Sequence, residues 1–136
     1  MNWLFFSLII ATYNSCKSIE DCLNSIIQQE FKSFEIIIKD NNSKDDTVKI
    51  IKNLFQKKNF DKFNIIVSDD GSVYEAWNIA IKKTKGEYIM FLGSDDFLNK
   101  NALKEYYNYV KNNNMPIYTY CKAHKINSKN IIVNTI

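Results

Sequence analysis

The chain has 136 residues, of which 46% are hydrophobic and 24% charged, and its formal net charge is +3. This composition excludes a disordered chain and predicts one globular domain over residues 1–136. All 18 basic residues are lysines, and because base readout and bidentate phosphate recognition favour arginine, a dedicated nucleic-acid-binding protein is also excluded.

The apolar start of the chain, residues 3–11, resembles a signal peptide in composition. No lysine or arginine precedes it, however, and it is far shorter than the roughly 20 residues that span a bilayer. We therefore expect a buried first strand. The three cysteines are odd in number and lack metal-site spacing, which is typical of reduced thiols in a cytoplasmic protein.

Continuous apolar runs and helical spacing alternate along the chain. The apolar runs predict strands at residues 5–11, 34–38, 63–67 and 88–92, the last of them buried on both faces. Apolar residues three and four positions apart predict four amphipathic helices, with faces that include Ile19, Cys22, Leu23 and Ile26, then Ile51, Leu54 and Phe55, then Ala76, Trp77 and Ala80, then Leu103, Tyr106 and Val110. Further strands are predicted at 117–121 and 131–133, after Pro116.

This alternation predicts an α/β fold, a three-layer sandwich with a mostly parallel central sheet. Right-handed crossovers would bring the carboxyl ends of the strands to one edge, where such sheets bind ligands. The strands end on these polar segments: Thr12-Tyr13-Asn14, Asp40-Asn41-Asn42, Asp69-Asp70 and Ser94-Asp95-Asp96. Together they predict a ligand site.

The adjacent carboxylates Asp95 and Asp96 follow the fourth strand directly. Paired oxygen ligands at a rigid strand end suit Mg²⁺ or Mn²⁺. Asp95 could instead cap a helix that begins near Asn99, and the residues alone leave both interpretations open.

Four segments resemble the nucleotide-binding half of a family 2 glycosyltransferase of the GT-A fold. They are residues 7–14 (SLIIATYN), 35–47 (EIIIKDNNSKDDT), 72–81 (SVYEAWNIAI) and 86–96 (GEYIMFLGSDD), in the order and spacing of that family. The similarity covers about residues 5–98.

The resemblance implies an inverting transferase that moves a sugar from a nucleotide-diphosphate donor, a UDP-sugar, to a glycan or lipid-linked acceptor in polysaccharide biosynthesis. Asp40 would accept a hydrogen bond from the uracil or its ribose, and Asp70 and Asn78 would shape the floor of the site. The implied nucleotide-sugar site comprises Thr12, Tyr13, Asn14, Asp40, Asn42, Asp70, Asn78 and Asp95. Asp95, assisted by Asp96, would ligate Mn²⁺ or Mg²⁺.

The chain departs from this family at several points, among them Ala11 in place of a proline and Asn42 in place of a turn glycine, and two further departures concern the chemistry of the site. Gly93 stands where the first acid of the usual Asp-x-Asp is expected, which predicts weaker metal binding. Only about 40 residues follow Asp96, with Glu105 as their single acid, so no catalytic base is assigned. The alternative is a truncated fragment that binds nucleotide but lacks the acceptor site.

One further hypothesis concerns function, and two concern partners. A receiver-like signalling domain would need an acid at the end of the first strand, where Thr12-Tyr13-Asn14 stands, and it ranks low. Lys122, Lys125 and Lys129 could attract the inner face of an anionic membrane, although a solvated face is the simpler explanation. An uncovered apolar surface would favour a homo-oligomer.

Overall fold

The computed structural model describes residues 3–121, 123–127, 129 and 132–135. The chain forms two compact units, Met1–Glu105 and Tyr106–Ile136, each described below by itself. The single domain expected over residues 1–136 stays a prediction. Within the described ranges, no helix is both long and apolar enough to cross a membrane.

The first unit is built on a four-stranded parallel sheet. Its strands are β1 (Phe6–Thr12), β2 (Phe34–Asp40), β3 (Phe63–Val67) and β4 (Tyr88–Gly93), in the order β3-β2-β1-β4. Its helices are α1 (Ile19–Ile27), α2 (Thr47–Lys57) and α3 (Val73–Ile81), and a fourth helix, α4 (Ala102–Asn112), begins in this unit and ends in the second. Isoleucine-rich runs form β1 and β2 because branched side chains pack well on a pleated surface that is buried on both faces.

The helices lie in two layers around this sheet. The chain steps from β1 to β2 to β3 in one direction and then returns past β1 to β4, so right-handed crossovers assign α1 and α2 to one face and α3 to the other. In agreement, α1 packs on α2, and α3 packs on β1 and β2. The predicted α/β sandwich is confirmed, and the reversal beside β1 is the kind of switch point at which α/β sheets bind ligands.

The face under α3 has a small apolar core. Ile9, Ile37 and Ala80 are fully buried there, with Ile66 and Trp77 packed against them. Ile9 and Ile37 are opposite each other in the parallel register of β1 and β2. One side chain from each central strand and one from the helix therefore hold this layer together.

The prediction that β4 is buried on both faces is wrong. Ile89 and Phe91 are 39% and 42% exposed, and burial alternates along the strand. The reason is topological: β4 lies at the edge of the sheet, and α3 packs over β1 and β2 instead. Phe91 keeps one contact with that helix, through the Trp77 ring at a centroid distance of 4.6 Å.

The second unit contains an antiparallel pair, β5 (His124–Ile126) and β6 (Ile132–Thr135). The strand predicted at 117–121 is wrong: those residues have no strand assignment, and Ile117 is 98% exposed. Asn114 and Met115 both have positive φ, and Pro116 next to them has no N–H to donate to a ladder. The strand predicted at 131–133 is confirmed for Ile132 and Val133, while Ile131 lies outside the described residues.

A buried polar network closes the amino-terminal end of the sheet. Ser7 Oγ donates to Glu35 Oε1 at 2.7 Å, and the Lys85 N–H donates to the same oxygen at 2.6 Å. The Gly86 N–H donates to Ser7 Oγ at 2.8 Å. A Cβ on Gly86 would lie 2.6 Å from backbone atoms of Phe6 and Ser7, so this turn accepts only glycine.

Replacing Gly86 with alanine should therefore destabilise the fold. We expect the Gly86→Ala variant to lose about 1–3 kcal/mol of unfolding free energy, because backbone rather than a movable side chain must give way. Gly71→Ala is the matched control, since the nearest atom there is the flexible Glu75 carboxylate. Urea unfolding of the two variants measures the difference, and equal losses would contradict the steric explanation.

Candidate functional site

The carboxyl ends of the four strands meet at one edge of the sheet. Thr12 at the end of β1 is opposite Asp40 of β2, Ala11 is opposite Gly93 of β4, and Asp40 is opposite Val67 of β3. Asp40 and the acidic turn, which consists of Ser94, Asp95 and Asp96 after Gly93, therefore lie on either side of the β1 terminus. The polar segments that follow the strands share this edge, as the parallel topology predicts.

Hydrogen bonds join the loop after β1 to the loop after β2. Thr12 Oγ1 donates to Asp40 Oδ1 at 2.6 Å, and the Asn14 N–H donates to Ser43 Oγ at 2.9 Å. In return, the Lys44 N–H donates to Asn14 Oδ1 at 2.8 Å. Asn14 adopts a left-handed φ of 48°, which asparagine tolerates better than most residues. The two loops consequently form one hydrogen-bonded body.

Asp40 is the centre of this body and is fully buried. Its Oδ1 accepts hydrogen bonds from the hydroxyls of Thr12 and Ser43, and its Oδ2 accepts one from the Ser43 N–H at 2.8 Å. Because the side chain is fully buried, a direct hydrogen bond to a uracil or ribose would require the residues that cover it to move. The contact expected for Asp40 stays a prediction; in the structure its carboxylate organises the loops.

A second carboxylate, Asp45, ties α2 to the loop after β1. It accepts hydrogen bonds from the hydroxyl and N–H of Thr47 and, at 3.1 Å, from the Cys16 N–H. The Thr47 hydroxyl in turn accepts the Ser15 N–H at 2.8 Å. The Thr47 hydroxyl is the largest cause that holds the pKa of Asp45 well below its ordinary value of 3.8, and the hydrogen bond to Asp45 raises the pKa of the Cys16 thiol.

A cavity of about 260 Å³ opens beside the β1 terminus. Its lining includes Thr12, Tyr13 and Asp70, all predicted site residues, together with Asn41, Val73 and Ala76. The ring of Tyr13 is 60% exposed, and the residues from α3 supply an apolar wall. A cavity at the lower end of ligand-pocket sizes suits part of a nucleotide better than a whole nucleotide sugar.

The remaining predicted residues lie outside this cavity lining. Asn42 has a left-handed φ of 47°, and its amide donates to Asp69 Oδ1 at 2.7 Å. Asn78 is exposed on α3. Asn41, which the sequence analysis did not select, lines the cavity instead of its neighbour Asn42. The two asparagines are adjacent, and the sequence carries no signal that shows which of them lines the cavity.

Lys39 is a second residue that the sequence analysis missed. Its side chain is fully buried, and Nζ donates to Asp70 Oδ2 at 2.6 Å, to the Ser68 carbonyl at 2.7 Å and to the Asp40 carbonyl at 3.2 Å. A lysine that directly continues an apolar strand was the available signal, because a buried ammonium requires a partner.

The acidic turn after β4 is compact. The Asp96 N–H donates to the Gly93 carbonyl at 3.1 Å, and the Gly93 N–H donates to Asp96 Oδ2 at 3.0 Å. A Cβ on Gly93 would lie 2.7 Å from Asp96 Oδ2 and 3.0 Å from Asp95 Oδ1, so both carboxylates approach the space above this glycine. The alternative in which Asp95 caps a helix near Asn99 is wrong, since α4 begins at Ala102.

Cys22 and Ser15 form hydrogen bonds at the acidic turn, Cys22 with Gly93 and Ser15 with Ser94. Cys22 Sγ donates to the Gly93 carbonyl at 3.4 Å, and Ser15 Oγ lies 2.9 Å from Ser94 Oγ. Burial, with smaller contributions from Asp96 and Asp95, raises the pKa of the Cys22 thiol to about 12, so it remains a protonated donor. Within the described part of the chain, no group of three or more histidine, cysteine, aspartate or glutamate side chains could hold a metal ion.

Comparison with known proteins gives a family match. The sequence matches the family described as glycosyl transferase family 2 over residues 7–132. It is 37% identical over 102 residues to the poly(ribitol-phosphate) beta-N-acetylglucosaminyltransferase TarS of Staphylococcus aureus, covering 74% of this chain and 18% of TarS. It is 36% identical over 131 residues to the poly(ribitol-phosphate) beta-glucosyltransferase of Bacillus spizizenii, covering 92% of this chain and 20% of that protein.

The fold is also similar to a solved structure. The crystal structure of S. aureus TarS 1–349 in complex with UDP-GlcNAc matches with a TM-score of 0.74 and 32% identity, covering 80% of this chain and 32% of that chain. This likeness confirms the GT-A fold that the sequence resemblance implied. The chain spans about a fifth of the length of the two curated relatives above.

The low pKa of Asp45 generates a pH-dependent prediction. Because folding depresses this pKa, the ionised carboxylate stabilises the fold above its unfolded value of 3.8, and that stabilisation is lost as the pH falls toward the folded value. We expect the stability difference between the unmodified chain and Asp45→Asn to be constant at neutral pH and to shrink below about pH 4.

Urea unfolding across this pH range measures the difference. Asp46→Asn is the matched control, because the neighbouring Asp46 makes no capping hydrogen bond among the described residues. A difference between the unmodified chain and Asp45→Asn that does not change with pH would contradict the assignment.

Proposed function

The chain belongs to glycosyl transferase family 2, and we propose that it forms the donor-binding part of an inverting transferase that uses a UDP-sugar. The observation that carries this proposal is the juxtaposition of two features at one sheet edge. The 260 Å³ cavity includes Thr12 and Tyr13 at the β1 terminus, and Ser15 in the loop that follows lies 2.9 Å, hydroxyl to hydroxyl, from Ser94 of the acidic turn. A nucleoside in the cavity would direct its diphosphate toward the carboxylates.

The cavity supplies what a nucleoside requires. The Tyr13 ring and the apolar side chains of Val73 and Ala76 offer surfaces for a planar base. Asp70 and Asn41 add a carboxylate and an amide at the same cavity, which can accept and donate hydrogen bonds. The UDP-GlcNAc of the TarS complex is the donor that we propose by analogy.

The acidic turn fits a divalent cation. Two exposed carboxylates approach one point above Gly93, and Cβ-free space there leaves room for both. Asp95 and Asp96 would hold Mn²⁺ or Mg²⁺, hard cations that prefer oxygen ligands. When bound, such an ion offsets the charge that develops on the departing nucleoside diphosphate.

Sugar transfer itself requires an acceptor and a base. Glu105, the single acid after Asp96, is an exposed residue in the first turn of α4, and we assign it no role. A glycan or lipid-linked acceptor remains our proposal for the whole transferase, and the cytoplasm is the proposed compartment, in keeping with the free thiols of Cys16, Cys22 and Cys121. The second candidate function is therefore donor binding without transfer.

Donor binding is the direct test of this function. With Mn²⁺ present, UDP-GlcNAc or UDP-glucose should raise the melting temperature. A free ligand concentration of 100 times Kd raises the free energy of unfolding by about 2.7 kcal/mol. The Asp95→Asn/Asp96→Asn variant should lose the Mn²⁺-dependent part of this shift. Asp61→Asn, which removes an exposed carboxylate at the opposite end of the sheet, is the control. If no nucleotide sugar shifts the melting temperature, the proposed function fails.

Substitutions at Gly93 test how the two carboxylates are held. Gly93→Asp restores the first acid of the usual motif, yet we expect it to weaken Mn²⁺ binding by about 10–100-fold, because its Cβ would displace the Asp95 and Asp96 carboxylates. Gly93→Ala should weaken binding similarly without adding a charge. Electron paramagnetic resonance of free Mn²⁺ measures both affinities. Tighter binding by Gly93→Asp would show that the carboxylates are not arranged as described.

A further inference from the structure

The buried ammonium of Lys39 is bonded to Asp70, a residue of the cavity lining. The function proposed so far gives Lys39 no role. The residue follows five consecutive buried residues of β2 and is itself fully buried. Removing an ammonium from water is costly, so its partners must compensate for a lost hydration shell. Those partners indicate what the residue does.

The ammonium has three acceptors for its three N–H bonds. They are Asp70 Oδ2 at 2.6 Å, the Ser68 carbonyl at 2.7 Å and the Asp40 carbonyl at 3.2 Å. Two of these acceptors belong to the loop between β3 and α3. Lys39 therefore anchors that loop to the central strand β2 and fixes one oxygen of Asp70.

The other carboxylate oxygen of Asp70, Oδ1, is not the one that Lys39 holds. Asp70 lines the cavity, and in the part of the chain that the structure describes, Oδ1 makes no hydrogen bond. The Asp70 N–H donates to Asn41 Oδ1 at 2.9 Å, which directs the amide Nδ2 of Asn41 away from this contact. The cavity lining thus includes both the Asp70 carboxylate and the side chain of Asn41.

We propose that Lys39 is a positioning residue for donor recognition. It holds Asp70 with Oδ1 free to accept a hydrogen bond from the nucleoside, either from the imide N–H of the base or from the 2′-hydroxyl of the ribose. This inference rests on the proposed function, and it assigns the nucleoside-accepting carboxylate to Asp70, which lines the cavity, whereas Asp40 is fully buried. Lys39 acts only through Asp70 and touches no ligand itself.

A double-mutant cycle tests this role. Lys39→Met, Asp70→Asn and the double variant are compared for affinity toward UMP and for unfolding free energy in urea. We expect Lys39→Met to weaken UMP binding by about tenfold or more. The double variant should bind UMP as Asp70→Asn does, because Lys39 has no effect once Asp70 is changed. It should also be more stable than Lys39→Met, since no unpaired charge remains buried.

A readout outside the nucleoside pocket separates positioning from general damage. Mn²⁺ affinity should be the same in all three variants, because the hydrogen bonds of Lys39 to the described residues go to Asp40, Ser68 and Asp70 and not to the acidic turn. Parallel losses of Mn²⁺ and UMP affinity, or additive losses of UMP affinity in the double variant, would overturn the proposal. If Lys39→Met does not fold, the comparison of Asp70→Asn with the unmodified chain in the next experiment decides.

Analogues identify the hydrogen that Asp70 accepts. 3-Methyl-UMP lacks the imide N–H and 2′-deoxy-UMP lacks one ribose hydroxyl. The unmodified chain should bind one of them at least about tenfold more weakly than UMP, and Asp70→Asn should lose that discrimination. If the unmodified chain binds UMP and both analogues equally, the proposal is overturned while the proposed function stands. If it binds neither UMP nor any UDP-sugar, both fall together.

Discussion

The buried carboxylate of Asp40 is the interaction on which the arrangement of the site depends. It ends the central strand β2 and accepts three hydrogen bonds from Thr12 and Ser43. An ionised carboxylate at this depth is tolerable only with such donors. The loops after β1 and β2 must therefore follow the paths that supply them, and this requirement shapes the rim beside the cavity.

A second charge, on Lys39, extends the same constraint to β3. Its ammonium draws the Ser68 carbonyl and the Asp70 carboxylate toward β2, so that the third strand end is joined to the first two. The acidic turn after β4 is tied more lightly, through Ser15 and Cys22, and its carboxylates remain exposed. The nucleoside side of the proposed site is thus prearranged by internal hydrogen bonds, whereas the metal side is open to ions and phosphates.

This division agrees with the proposal that a chain of glycosyl transferase family 2 forms the donor-binding portion of the enzyme. The parallel sheet, the cavity and the acidic turn all lie in the first unit, over Met1–Glu105. The edge strand β4 leaves Ile89 and Phe91 partly exposed. The two curated relatives are several times longer than this chain. The acceptor and the catalytic base therefore belong to the proposal for a whole transferase.

The sequence by itself determined the α/β class, the four strands of the sheet and the edge at which their polar ends meet, because hydrophobic periodicity and chain handedness are local or universal properties. Only the tertiary structure decided which carboxylates are available. Asp40 and Asp70 look alike in the sequence, yet one is enclosed by Thr12 and Ser43 while the other faces a cavity. The exposure of β4, the choice of Asn41 over Asn42 and the pairing of Lys39 were likewise decided there. Ser43 is a local partner of Asp40, but the bonds from Thr12 to Asp40, from Lys39 to Asp70 and from Asp70 to Asn41 join residues about 30 positions apart, which no local pattern encodes.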